Sequence, residues 1–158
     1  MDAFAEELND LLVDTFWTIL KVEEKTLQTN TGGGLSLSEL HVIESIGKSG
    51  GAGRTISEIA DDLDITLPSV TVQINKLQQK GFVQKQKDDK DGRVIYAKLT
   101  EFGNKVNRVH AYFHRQMVIS VGKGLSESEK EVLIQGIKKL KKFFDNKSES
   151  EEKEWDLE

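Results

Sequence analysis

Residues 56–83, ISEIADDLDITLPSVTVQINKLQQKGFV, decide the fold of this chain. Ser57 is predicted to cap a short helix over residues 58–63, because its hydroxyl can accept from free backbone N–H groups. After a tight break, Pro68 suits the first turn of a second helix. The apolar side chains of this second helix recur with helical spacing at Val70, Ile74 and Leu77. Two short helices joined by a few residues predict a helix-turn-helix.

A β-hairpin is predicted directly after the second helix. Residues 82–87 and 94–99 read as short strands, and the polar stretch 88–93, which contains Gly92, separates them. A helix-turn-helix followed by a hairpin is a winged helix-turn-helix. The fold class expected is therefore mainly α with a small β-hairpin wing.

Helices are predicted on both sides of this unit. The first carries apolar residues on two sides, so it needs two packing partners. These are its own domain and a second subunit, unless the helix is fully internal. We expect four regions: an N-terminal dimerisation helix and Gly loop at 1–34, the winged helix-turn-helix at 35–100, C-terminal dimerisation helices at 101–146, and an acidic, disordered tail at 147–158.

Composition narrows the class of protein. The chain has 158 residues, one proline and no cysteine, which excludes disulfides, thiol catalysis and thiolate metal sites. It contains neither a run of eighteen apolar residues nor a basic segment leading into an apolar one, so we expect a cytoplasmic protein without a membrane partner. No phosphate loop or Ser-His-Asp signature is present, and we expect no enzymatic activity.

The net charge of −5 is unevenly distributed. Residues 148–158 carry all of it, which leaves residues 1–147 neutral. Between residues 71 and 98 the balance is +4. A basic surface on a neutral body can bind phosphates, although a solvated face is the ordinary interpretation of such a run.

Two stretches carry a resemblance to a known family. They are residues 56–83 and the wing DDKDGRVIYAKLTEFG at residues 88–103, with an Asp-x-Arg element at Asp91 and Arg93 and a Leu-Thr-x-x-Gly element from Leu99 to Gly103. Over residues 4–145 the chain resembles the multiple-antibiotic-resistance regulator (MarR) family. The resemblance implies a homodimeric transcriptional regulator, in most cases a repressor, that binds double-stranded DNA at a near-palindromic operator.

The helix over residues 68–80 offers candidate DNA contacts. If Val70, Ile74 and Leu77 are buried, the opposite face is exposed. We expect the following side chains to meet DNA: Ser69, Thr71, Val72, Asn75, Lys76 and Gln79. In a major groove Asn and Gln can read adenine, Thr and Val methyls can contact thymine, and Lys can reach guanine or phosphate.

The hairpin tip offers a second set of contacts. Arg93 could insert into the minor groove, and the family resemblance implies that Asp91 holds its side chain. A plain surface ion pair is the alternative for these two residues. Phosphate contacts that carry no sequence information are expected from Lys85, Lys87 and Lys90.

A narrower resemblance concerns the effector. Residues 35–48 (LSLSELHVIESIGK), 65–83 and 108–118 (RVHAYFHRQMV) resemble the repressors of bacterial fatty-acid biosynthesis genes within this family. The resemblance implies no required cofactor and a long-chain acyl effector on acyl carrier protein, with the acyl tail in an apolar pocket. Candidate pocket residues, by position only, are Leu40, Ile43, Val106, Phe113 and Met117.

The histidines suggest a different effector. His110 and His114 are four residues apart on one helix, the spacing at which two imidazoles can share a metal. With His41 and Glu23 or Glu24 they would complete a zinc site, as in the zinc-responsive repressors that this arrangement also resembles. Two other interpretations of these histidines are possible: core residues that form hydrogen bonds with carboxylates, or a histidine cluster that catalyses hydrolysis.

The chain as a whole also fits a regulator of another small apolar effector, or an interaction module that never touches DNA.

Overall fold

The computed structural model describes residues 2–31, 34–88 and 91–155. The elements, in chain order, are α1 (Ala3–Thr31), α2 (Leu37–Gly47), β1 (Arg54–Thr55), α3 (Ile56–Leu63), α4 (Leu67–Gln79), β2 (Val83–Lys87), β3 (Ile95–Leu99), α5 (Glu101–Gly122) and α6 (Glu127–Trp155). They form two compact units, Met1–Ala111 and Tyr112–Glu158. None of the described helices has both the length and the apolar character needed to cross a membrane. The predicted fold class, mainly α with a hairpin wing, is confirmed.

The sheet has three strands, one more than predicted. Strands β2 and β3 pair antiparallel from Val83↔Leu99 to Lys87↔Ile95, as the hairpin prediction requires. Strand β1 pairs with the other edge of β3, so the order is β1-β3-β2. Two residues are too few to show an alternating pattern, and only the pairing with β3 makes Arg54 and Thr55 a strand.

The starts of α2 and α3 are fixed by capping boxes. Ser36 caps α2, and its side chain and that of Glu39 each bond the other residue's backbone N–H. For α3 the predicted cap at Ser57 is wrong: Thr55 is the cap, in a box with Glu58. Glu58 lies at the third position of the helix only when Thr55 is the cap, and this reciprocal pairing selects the earlier hydroxyl.

The hydrophobic core belongs to the first unit. It packs α2, α3 and α4 against the sheet, and the side chains that are fully inaccessible to solvent are Leu40, Val42, Ile43, Ile59, Val70, Ile74 and Leu77. The predicted buried face of α4 is therefore confirmed. Phe82 and Val83 extend the core onto β2.

A buried carboxylate joins α2 to the end of α4. Glu39, only 4% exposed, accepts hydrogen bonds from Lys80 Nζ at 2.7 and 2.8 Å, and Lys80 is the C-cap of α4. Burial opposes the ionisation of Glu39, but the hydrogen bonds from Lys80 and from the Ser36 backbone outweigh it and hold the pKa of Glu39 below its usual value. The cap of one helix and the end of another thus share one charged group.

The Leu-Thr-x-x-Gly element joins α5 to the end of α4. The hydroxyl of Thr100 donates to the carbonyl of Gly81 at 2.7 Å and accepts from the backbone N–H of Gly103 at 3.1 Å. A Cβ on Gly103 would overlap the carbonyl oxygen of Phe82. Glycine is therefore required where α5 passes the start of the wing.

The second unit contains the end of α5 and the whole of α6. Its described part leaves many large apolar side chains exposed, namely Tyr112, Val118, Ile119, Val121, Val132, Leu133, Ile134, Ile137, Phe143 and Phe144. Helix α6 continues to Trp155, whereas we expect disorder from residue 147. Glu and Lys, which dominate this stretch, have high helix propensity.

We expect Glu39→Gln to destabilise the protein in a pH-dependent way. Gln keeps the capping bond but loses the charge opposite Lys80, so at pH 7 the free energy of unfolding should fall by about 1–3 kcal/mol. Because the pKa of Glu39 is lowered in the folded state, its contribution is present above the ordinary pKa of about 4.3 and is lost as pH falls through the lowered value. Urea unfolding of both proteins at pH 7 and pH 3 measures this. Glu58→Gln, in the exposed box of α3, is the control and should change little; a wild-type advantage that persists undiminished at pH 3 would contradict the role of the charge.

Gly103→Ala should lower the free energy of unfolding by at least about 1–3 kcal/mol, because the new methyl group must displace the backbone of Phe82. Gly136→Ala in α6 is the matched control, since a Cβ there has no atom within 4 Å beyond its chain neighbours and the backbone of its own helix. Its expected effect has the opposite sign, a gain of about 0.5–1 kcal/mol from helix propensity. Thermal unfolding of the two variants measures the difference, and equal effects would contradict the close approach.

Candidate nucleic-acid interface

Helix α4 presents one polar face to solvent. Thr66 caps the helix and accepts from the N–H of Ser69, and Pro68 occupies its first turn. Asp64, with φ of 52°, ends α3 in the left-handed region and turns the chain into α4. With the inner face in the core, all six predicted DNA-contact residues of α4 are exposed: Ser69, Thr71, Val72, Asn75, Lys76 and Gln79. These exposed positions are the ones that helical periodicity predicts.

The hydroxyl groups at the start of α4 are engaged locally. Thr71 Oγ1 donates to the carbonyl oxygen of Leu67 at 2.9 Å, and the hydroxyls of Thr66 and Ser69 lie 2.9 Å apart. Since Thr71 gives its only hydroxyl proton to the helix backbone, it offers its methyl group and oxygen lone pairs to a ligand. Val72, 51% exposed, adds two methyl groups to the same surface.

A hydrogen bond joins α4 to the wing. Nζ of Lys85 in β2 donates to Oδ1 of Asn75 at 2.5 Å, and both residues are exposed. Sequence reasoning placed the two residues in separate roles, a base contact and a phosphate contact. Only the packing of β2 beside α4 brings them together.

The tip of the wing holds Arg93 in a defined position. Asp91 accepts from Arg93 Nε at 3.0 Å, from Nη2 at 3.1 Å and from the Arg93 backbone N–H at 3.1 Å. The Asp91 backbone N–H in turn donates to Asp88 Oδ1 at 2.8 Å. The Arg93 side chain is 92% exposed, so its guanidinium projects into solvent while Asp91 holds it in place. Lys85 and Lys87 are exposed on β2, and Lys90 lies outside the described residues.

The pair at the tip stays charged over a wide pH range. The side-chain and backbone hydrogen bonds from Arg93 lower the pKa of Asp91, and the hydrogen bond to Asp91 raises the pKa of Arg93. The guanidinium uses Nε and Nη2 on Asp91, so the N–H groups of Nη1 point away from this pair. They are available to an acceptor in a groove.

A second charged cluster fixes β1, and sequence reasoning did not find it. Arg54 Nη1 lies 3.0 Å from Asp62 Oδ2 and donates to Ser45 Oγ at 3.1 Å, while Lys48 Nζ lies 2.8 Å from Asp62. Hydrogen bonds from Lys48 and Ser45, with the nearby positive charges, lower the pKa of Asp62. The cluster joins β1, at the edge of the sheet, to α2 and α3. The wing belongs to the same sheet and is therefore supported by this cluster.

The predicted zinc ligands have different surroundings. His110 is buried, with Nδ1 2.6 Å from Glu44 Oε1 and Nε2 3.6 Å from Glu23 Oε1. Burial disfavours the imidazolium, but the hydrogen bond and charge of Glu44, with a smaller contribution from Glu23, raise the pKa of His110. Of the two candidate glutamates, Glu23 lies beside His110, and Glu24 is exposed.

The remaining two histidines are His41 and His114. His41 is exposed on α2 and lines a cleft of about 390 Å³ together with Glu44, Lys48 and Asn107. His114 belongs to the second unit.

The predicted pocket residues are mostly core residues in this conformation. Leu40 and Ile43 are inaccessible and Val106 is 4% exposed, while Phe113 and Met117 are half-buried in the second unit. An open cleft of about 1130 Å³ lies instead between the end of α1, the start of α2 and the end of α4. Its walls combine apolar and charged side chains, including Leu27, Leu35, Leu37, Glu39, Lys76 and Lys80.

Comparisons with known proteins identify relatives of this chain. The model of the MarR family matches residues 35–95. The HTH-type transcriptional regulator BilQ of Clostridium symbiosum is 31% identical over 112 residues, which cover 69% of this chain and 74% of that protein. The HTH-type transcriptional regulator YkoM of Bacillus subtilis is 29% identical over 119 residues, 75% of each chain.

Solved structures agree with these relatives. A crystal structure of Streptococcus pneumoniae FabT in complex with DNA has a TM-score of 0.80 and 32% identity, covering 90% of this chain and 98% of that one. The Staphylococcus aureus MepR–DNA complex shares the fold, with a TM-score of 0.62 at 21% identity, covering 82% of this chain and 94% of that one. The chain belongs to the MarR family, whose members are DNA-binding transcriptional regulators that act as dimers and are not enzymes.

Proposed function

We propose that this protein represses transcription by laying the exposed face of α4 in the major groove of its operator. The observation that carries the proposal is the combination of an exposed polar face on α4 with a wing that projects Arg93, both supported by one core. Asn75 and Gln79 contact base edges, Thr71 and Val72 offer methyl groups to thymine, and Ser69 and Lys76 complete the contact.

The wing supplies the second contact. Arg93, held by Asp91, enters the minor groove, where negative potential favours a guanidinium. Lys85, Lys87 and Lys90 lie along the phosphate backbone and strengthen binding to any sequence. The acidic residues 148–158 account for the net charge of −5, so the global charge does not oppose this interface.

The operator is proposed to be near-palindromic because the protein acts as a homodimer. Helix α1 exposes a large apolar surface in the single chain, including Phe4 at 72% and Trp17 at 64%, and the second unit exposes another. Apolar surfaces of this extent are buried in assemblies. We expect a dimer at micromolar concentration in sedimentation equilibrium and half-sites about 10 base pairs apart.

We propose fatty-acid biosynthesis genes as the target and an acyl chain on acyl carrier protein as the effector. The resemblance of residues 35–48, 65–83 and 108–118 to such repressors supports this, as does the likeness to FabT. Another small apolar molecule is the alternative ligand. The acyl tail is proposed to enter near Leu40, Ile43, Val106, Phe113 and Met117. Entry requires the core residues among them, Leu40, Ile43 and Val106, to move apart.

The test of this function is selection of genomic fragments by the purified protein at near-physiological salt. Recovery of a palindrome upstream of fatty-acid synthesis genes is expected, with retention that increases when acyl carrier protein loaded with a long acyl chain is added. A palindrome upstream of unrelated genes would contradict the target, and no retained fragment with or without the acyl carrier protein would contradict the function.

Regulation by zinc is the second candidate. It is favoured by His110, because a carboxylate on one imidazole nitrogen, here Glu44, commonly orients the other nitrogen toward a metal. His41, His114 and Glu23 or Glu24 are the further predicted ligands. DNA affinity measured after chelation and during zinc titration tests this candidate, and unchanged affinity in both contradicts it.

Asp91→Ala separates positioning from charge at the wing. Removing a negative charge near DNA should by itself tighten binding. Losing the Asp91 hydrogen bonds frees the Arg93 side chain. We expect this second effect to outweigh the first, so that binding to all sequences weakens by about tenfold. The control is Asp61→Ala, which removes an exposed carboxylate from α3. Binding to a fixed operator and to unrelated DNA measures both. Tighter binding by both variants would contradict the proposal that Asp91 positions Arg93 for DNA.

A further inference from the structure

The bond between Lys85 and Asn75 constrains what Asn75 can read. Lys85 Nζ carries only donors, so the amide atom that faces it at 2.5 Å is the oxygen of Asn75. The amide nitrogen, with its two N–H groups, therefore points away from Lys85. In this arrangement Asn75 and Lys85 together present donors to a ligand.

The strand register explains why Lys85 is in this position. Lys85 pairs with the buried Ala97, two residues after the buried Val83, so its side chain leaves β2 on the face that packs toward the core and α4. Lys87, two residues further on, leaves β2 on the same face but nearer the tip. The lysine at position 85 is thus the one directed at α4 by the sheet.

Bases differ in how well they satisfy such a pair. Bidentate recognition of adenine requires the amide oxygen of Asn to accept from N6–H₂ while its N–H donates to N7. Here an ammonium group already uses one lone pair of that oxygen, and its positive charge and N–H donors would lie beside the adenine amino group, which is also a donor. Guanine presents two adjacent acceptors, N7 and O6, which can take one N–H from Asn75 and one from Lys85.

We propose that Lys85 is a specificity-determining residue that fixes the amide of Asn75, so that the two side chains together read guanine rather than adenine. This inference rests on the proposed role of α4 in the major groove. It changes Lys85 from a phosphate contact into a residue that sets the base preference of another residue.

The experiment measures relative affinities for operators that carry each of the four bases at the position read by Asn75. That position is identified as the one whose base preference disappears in Asn75→Ala. The full-length wild-type protein is compared with Lys85→Met, which keeps most of the aliphatic stem and removes the donor. Lys87→Met is the matched control, on the same strand and face.

Wild type should prefer guanine over adenine by about tenfold at this position. In Lys85→Met the amide can turn its oxygen to adenine, so the ratio should fall to about one or invert. Lys87→Met should weaken binding to all four operators equally, leave the ratio unchanged and reduce the salt dependence by about one unit of slope. Both variants should unfold at the same temperature, because both lysines are exposed.

Three outcomes would overturn the inference. If Lys85→Met weakens all four operators equally, Lys85 is only a phosphate contact, and the DNA interface itself stands. If wild type prefers adenine, the bond to Lys85 does not persist on DNA. If Asn75→Ala changes no base preference, the proposed base contact fails together with the inference.

Discussion

The buried carboxylate of Glu39 joins two helices of the first unit, α2 and α4. It receives the N–H of the Ser36 cap and the ammonium of Lys80, so it fixes the start of α2 and the end of α4 in one place. A buried charge is costly unless it is fully paired, and that cost disfavours arrangements in which α4 has moved away from α2. The orientation of α4, and with it the face proposed to contact DNA, follows from this constraint and from the core beneath it.

The proposed DNA contacts share a physical design. Two exposed side chains that are proposed to read DNA in a defined geometry are each held by a neighbour, Arg93 by Asp91 and Asn75 by Lys85. Long exposed side chains lose rotamer entropy on binding, and a partner that restricts them beforehand reduces that loss. The supporting elements are restrained in turn, β1 by the Arg54–Asp62–Lys48 cluster and the start of α5 by Thr100 and Gly103. Affinity and specificity in such a site depend as much on these supports as on the contacting groups.

Periodicity predicted more of this protein than local signals did. The inner face of α4 follows from a spacing of 3.6 residues, and the two strands of the hairpin follow from short β-like runs on either side of a polar stretch. The cap at Ser57, the missed strand β1 and the expected disorder after residue 146 depended on single residues or short stretches. At those places a reciprocal side-chain bond, a strand partner and helix propensity decided the outcome. The Ser36 to Glu39 box was readable in the sequence, but its ion pair with Lys80, 41 residues away from Glu39, was not.

The sequence by itself determined the winged helix-turn-helix, the exposed face of α4 and the presence of Asp91 beside Arg93, because each depends on residues close together in the chain. Only the tertiary structure decided that Lys80 would neutralise Glu39, that Glu44 and Glu23 would surround His110, and that Lys85 would occupy the oxygen of Asn75. These contacts join different elements, and their geometry follows from how the elements pack. A sequence pattern shows which face of an element is exposed, whereas the packed core determines which exposed groups become neighbours.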